Sequence, residues 1–189
     1  MLDNTSVNLE AVNTVLSSIG DAPVDTIEDP TNVNVINAIR ELETVSRKEQ
    51  AKGWSSNIID SYILNPDVNT NQIMWNSNFL SIVDSGGLKL VRKGEYLYNL
   101  TDQTFIFTSA ITVQMILFMD LAECSEQLKN YIVAKTSEQF QMKFLNDPNI
   151  AQSLQQMRMD AWVDLQENEI TSNAYNIFEN EDITAIRRS

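Results

Sequence analysis

Residues 88–100 read LKLVRKGEYLYNL. Alternating apolar side chains flank Lys93-Gly94 on both sides. That is the pattern of an antiparallel hairpin, in which successive side chains face opposite ways and glycine takes the tight turn. Thr101 and Asp102 supply a second turn, and QTFIF and ITVQMILF continue the alternation. The expectation is an antiparallel meander over residues 88–118. The apolar run AITVQMILFM is about half the length of a membrane span and contains Thr112 and Gln114, so it reads as a buried strand.

Upstream, WSSNIIDSYIL from Trp54 reads as strand and NPDVNTNQ as loop, while MWNSNFLSIV fits a short helix or a strand equally well. Before Trp54 the period is helical. Leu9, Val12, Val15, Leu16 and Ile19 form one stripe, with Gly20 at the C-cap position and Pro23 just beyond. Ile36, Ile39, Leu42 and Val45 form a second, which Gly53 ends. Helical spacing returns at Ser125. Leu128, Ile132, Val133, Thr136, Phe140 and Phe144 lie on one side, and Pro148 opens a last helix with Ile150, Leu154, Met157, Ala161, Val163 and Leu165. The period is expected to fade near Asn168.

The fold class is therefore α+β, a helical bundle of about four helices with an inserted small antiparallel β domain and an extended C-terminal tail. The expected segments are residues 1–53 and 123–168 for the bundle, 54–122 for the β domain and 169–189 for the tail. With 189 residues, 43% hydrophobic and 21% charged, the composition is that of a soluble globular protein. MLDNTSVNLE lacks a basic region followed by an apolar run, so no signal peptide is expected.

Chemistry is sparse. There is no histidine, which removes the commonest base, the commonest metal ligand and every Ser-His or Cys-His nucleophile. Cys124 sits between Glu123 and the nearby Glu126, which disfavour a thiolate, and reads as a small buried residue at a helix start. Asp67, Asn69 and Asn71 open like a calcium loop, but Gln72 stands where glycine is needed and Asn78 where a glutamate is needed. No catalytic, cofactor-binding or metal residues are assigned, and the expectation is a non-enzyme without cofactor. The net charge of −13 argues against free binding to a phosphate backbone. It also motivates a competing reading, an acidic DNA-mimic inhibitor. A carboxylate-dependent hydrolase is a third, without a visible acid-base partner.

Several segments, in order, resemble tail tubular protein A, the head-to-tail adaptor family of short-tailed bacteriophages (podoviruses). LEAVNTVLSSIGDAPVDTIE is similar to the family's opening helix and Ile-Gly-x-x-Pro-Val turn. INAIRELETVSRKEQAKGWSSN resembles its second helix, with Gly-Trp and then an Asn. YILNPDVN, RKGEYLYNLTDQTFIF and LAECSEQLKNYIVAKTSEQFQMKFLND resemble its strand end, hairpin and third helix. Ser56 and Ala122 depart from the family's aromatic residue and proline. The resemblance implies a structural virion protein that forms a dodecameric ring. Its partners would be the portal protein, the tail nozzle protein (tail tubular protein B) and a tail fibre. Genomic DNA would cross the channel without specific binding, and no membrane is involved. The implied location is the virion tail, with assembly in the host cytoplasm. On this reading the apolar and basic tail residues Tyr175, Ile177, Phe178, Ile183, Ile186, Arg187 and Arg188 are candidates for the portal contact. Gly86, Gly87, Lys93 and Gly94 in β-domain loops are candidates for facing the nozzle or fibre.

Overall fold

The computed structural model describes residues 6–84 and 86–179, of which 173–179 are described as helix backbone only. The elements, in chain order, are α1 (Ser6–Ser17), α2 (Val33–Gln50), β1 (Ile58–Leu64), β2 (Phe79–Asp84), β3 (Leu90–Lys93), β4 (Tyr96–Asn99), β5 (Ile111–Leu117), α3 (Glu126–Phe144) and α4 (Pro148–Glu179). This is an α+β fold with four helices and small antiparallel sheets among the described residues. The described chain divides into two compact units, one holding the residues up to Glu49 and from Asp120 onward, the other Gln50–Met119.

In the helical unit, α1 buries Ala11, Val12, Val15 and Leu16. It ends at Gly20, whose φ of +80° is the left-handed conformation that only glycine adopts without strain; the Asp21 N–H then closes onto the Leu16 carbonyl at 3.2 Å. The Asn13 side-chain amide pairs with both backbone groups of Val24, at 3.0 and 2.8 Å, and so pins the loop after α1. Helix α2 buries Val35, Ala38, Ile39, Leu42 and Val45 along one stripe. Helix α3 starts at Ser125, whose side chain caps the Leu128 N–H, and buries Leu128, Tyr131, Ile132 and Phe140. Ion pairs join it to its neighbours: Lys135 to Glu49 and Lys143 to Glu41 on α2, and Glu138 to Arg158 on α4. Asp147 caps α4 through the Asn149 and Ile150 N–H groups.

Phe144 lies on the side of α3 that holds Phe140, its ring 4.5 Å away, and is 47% exposed. One expectation for this unit needs correction: helix α4 runs past Asn168 to Glu179. Nothing after Pro148 is glycine or proline, so no backbone signal stops it where the apolar period fades.

In the β unit, β5 is the centre of a three-stranded antiparallel sheet in the order β1-β5-β2, and β3 and β4 form a separate hairpin. Tyr62 faces Val113, and Ile82 faces Met115, whereas the β1 register shifts between Ile59 and Tyr62. One core serves both sheets: Leu64, Ile73, Ile82, Leu97, Phe107, Val113 and Met115, with Trp75, Phe79 and Leu90 packed against it. The expected hairpin is present, with Lys93 opposite Tyr96 and Gly94 at φ +67° in the turn.

The expected meander is not. The edge of β4 is taken by residues 73–75, where the Leu97 N–H donates to Ile73 and the Trp75 N–H to Glu95, both at 2.8 Å. QTFIF does not pair along β4. It forms a bridge from Thr104 to Asn99, the Phe107 N–H donates to the Asn71 carbonyl at 2.8 Å, and the Phe107 ring turns into the core.

The unit is closed at its ends by side-chain amides. Gln50 donates to the Met119 carbonyl at 2.9 Å and accepts from the Met119 N–H at 2.8 Å. Asn57 accepts from the Trp54 N–H and donates to the Gln50 and Leu117 carbonyls. Gly53, at φ +78°, fits against Ile58 and Ile116, and an added Cβ would lie 3.0 Å from Ile116 Cδ1.

Candidate assembly surface

The titratable groups that sequence reading singled out are engaged in local structure. Burial, followed by the nearby Asp120 and Glu123 carboxylates, pushes the Cys124 thiol up to about 12, so it stays protonated at neutral pH. Asp67 spends its Oδ1 on its own turn, accepting from the Asn69 N–H and from both the N–H and hydroxyl of Thr70; these bonds hold its carboxyl below the usual range. Among the described residues no three acidic or cysteine side chains are placed to hold a metal ion. Burial alone would lower the Lys135 ammonium, but hydrogen bonds to Glu49 and Tyr131 outweigh it and raise the group above its ordinary value. It is an internal ion pair rather than a site. No described helix is long and apolar enough to cross a membrane.

The helical unit carries two surfaces with exposed apolar side chains. The first is a groove of about 580 Å³ between α1, α3 and α4. Its lining includes Ala11 from α1, Val133 and Ala134 from α3, and Ile150, Leu154 and Met157 from α4. The second is the outer side of α4. Of the described α4 side chains only Leu165 is fully buried, while Met159, Val163 and Ile170 are 49%, 52% and 69% exposed. At 3.6 residues per turn these three lie within about 40° of one another, roughly half a turn from Ile150 and Met157. Sequence reading named Met157, Val163 and Leu165 among the apolar residues that mark this helix, without Met159 and Ile170 and without dividing them into faces. The angular spacing held the signal, because Val163 and Leu165 are about 200° apart and cannot share a face.

The sequence-derived candidates fall elsewhere. Gly86 and Gly87 lie before β3 and Gly94 after it, so the two loops sit at opposite ends of that strand. Lys93 places its ammonium 4.2 Å above the Tyr98 ring. The side chains of Tyr175, Ile177 and Phe178, and all of Ile183, Ile186, Arg187 and Arg188, lie outside the described residues.

A search of curated proteins finds no match. A scan against protein families matches residues 9–182 to the family described as Tail tubular protein. The match covers nearly the whole chain, and with it the α+β fold just described. The chain belongs to the tail tubular protein family, structural proteins of the phage tail.

Proposed function

We propose that this chain is the ring-forming adaptor that joins the portal to the tail nozzle and lines part of the DNA channel. The observation that carries the reading is α4. A helix of 32 residues that exposes Ile150, Met157, Met159, Val163 and Ile170 presents more apolar surface than a solitary chain needs. Family membership supports the virion tail as the place where that surface is covered.

In this reading the copies form a dodecamer, assembled in the host cytoplasm, and the chain acts by presenting surfaces rather than by catalysis. A ring requires unlike patches that meet head to tail and close. The charge of −13 keeps DNA from adhering as it passes. Tyr175, Ile177, Phe178, Ile183, Ile186, Arg187 and Arg188 face the portal, and the loops at Gly86, Gly87, Lys93 and Gly94 face the nozzle or fibre.

The test is the mass of the purified chain in solution, alone and with a portal protein. A closed multiple of the subunit mass, formed alone or on the portal, is expected. A chain that stays monomeric or dimeric with the portal present rejects the adaptor reading. If that monomer also blocked a DNA-binding enzyme, the DNA-mimic reading would replace it.

A further inference from the structure

We infer that the groove between α1, α3 and α4 receives the outer face of α4 from a second copy of the chain, in a head-to-tail contact. The inference rests on the self-assembly part of the adaptor reading and specifies the surfaces that would carry it.

Four observations support the pairing. First, the two surfaces match in shape, one concave and one ridged, and the apolar ridge meets a groove whose apolar lining is bordered by polar residues including Glu10, Glu126 and Lys129. Second, they match in length. The ridge from Met159 to Ile170 and the α4 wall of the groove from Ile150 to Ala161 each span about 16 Å at 1.5 Å per residue. Third, the ridge has the spacing of a helix-packing seam. Met159, Val163, Gln166 and Ile170 follow one another at intervals of four, three and four, with β-branched Val163 and Ile170 at alternate positions.

Fourth, the ridge is uncharged in a strongly acidic chain. Asp164 and Glu169 point to other sides of α4, while Glu167 stands one turn beyond Val163 at the border of the ridge. Gln152 and Gln155 precede the ridge on the same side of the helix. Copies of a chain with net charge −13 repel one another; on the groove side Glu126 is already paired with Lys129 at 2.6 Å, which leaves Glu10 as the acidic group there that the ridge would meet.

The geometry also selects the symmetry. The ridge and the groove face opposite ways from α4. A two-fold pair would set ridge against ridge and leave both grooves open. A head-to-tail contact covers one ridge and one groove at each junction, and it repeats until the ring closes. A foreign partner would have to cover both, whereas each copy of this chain already brings one of each.

The experiment uses full-length chains carrying Cys124→Ser, so that only introduced cysteines react. One chain carries V163C on the ridge and the other V133C in the groove. They are mixed, assembled alone or on the portal protein, and oxidised, and the mass of the assembly is measured in the same sample. The expected result is a disulfide-linked pair in the mixture and none from either chain alone. Charged variants give a second readout: V163E and I170E should each weaken self-association about 30-fold or more while leaving the melting temperature of the isolated chain unchanged. An assembly of full mass without the mixed cross-link, or V163C linking to itself, overturns this contact and leaves the ring standing. Absence of any assembly overturns both.

Discussion

Replacing Asn57 with alanine should weaken the β unit far more than the loss of one small side chain from a loop would. Asn57 is 1% exposed. Its Oδ1 accepts from the Trp54 N–H at 2.7 Å, and its Nδ2 donates to the carbonyls of Gln50 at 3.0 Å and Leu117 at 2.9 Å. One amide thus ties the end of α2, the Gly53-Trp54 turn and the end of β5 together. Alanine removes all three bonds. The Gln50 carbonyl keeps a bond from the Gly53 N–H at 3.1 Å, so its loss is the smaller kind, about 1 kcal/mol. Trp54 loses the acceptor for a buried N–H, which costs about 1–3 kcal/mol. With the Leu117 bond the total is about 3 kcal/mol.

At a urea slope of about 2 kcal/mol per M, that moves the unfolding midpoint down by about 1.5 M. Tryptophan fluorescence is the assay, since Trp54 and Trp75 both belong to this unit, with helical circular dichroism followed in parallel. Asn57→Asp separates hydrogen bonding from packing. It keeps the shape and the acceptor for Trp54 but turns an oxygen toward two carbonyls, so it should cost at least as much as alanine. An aspartate variant as stable as the parent, or an alanine shift below about 0.3 M, would refute the reasoning.

Three further outcomes follow from the geometry. Gly53→Ala forces a positive φ on a side chain and sets its Cβ 3.0 Å from Ile116 Cδ1; a loss of about 1–2 kcal/mol is expected in the same urea titration. Lys135→Met takes the ammonium from the fully buried Glu49 carboxylate and should cost about 3 kcal/mol, visible as a lower thermal midpoint by circular dichroism. At high pH the folded chain keeps the Cys124 proton that the unfolded chain loses near 9, so stability should fall as pH rises from about 9 toward 12. Lys135, whose ammonium is also held above its ordinary value, adds to the loss as it deprotonates. The checks are urea midpoints across that range and a thiol reagent that labels Cys124 at pH 8 only after unfolding.

The parts of the fold legible in the sequence are those fixed by local stereochemistry. Gly20 and Gly53 mark helix ends because the chain there needs positive φ, and the hairpin is written in the alternation around Gly94. Strand pairing was not legible. Alternation says which side chains of ITVQMIL share a face, but not which edges lie beside them. The partners of β5 were settled by a competitor, Ile73–Trp75, occupying the β4 edge. The Asn57 tie was half visible: Asn after Gly-Trp carried the family resemblance, yet no local rule connects it to Leu117, sixty residues on.

The candidate surface was missed for a different reason. An apolar residue in a helix is read as core by default, and α4 has enough of them to suggest one broad buried stripe. Resolved by angle, they divide into a face against α3 holding Leu165, a face toward the groove holding Ile150 and Met157, and an outer ridge of Met159, Val163 and Ile170. One neighbouring helix covers only a limited arc, so a helix apolar on three sides has more than one neighbour to find. The distribution of charge carries the same information. Along the ridge and its N-terminal extension α4 uses Gln152, Gln155 and Gln166, with Glu167 at its border, while Asp164 and Glu169 lie on other sides of the helix. An amide and a carboxylate serve an exposed helix face equally well in water. The amide is preferable where that face must leave water beside another acidic copy, because burying a carboxylate there costs desolvation and repulsion together.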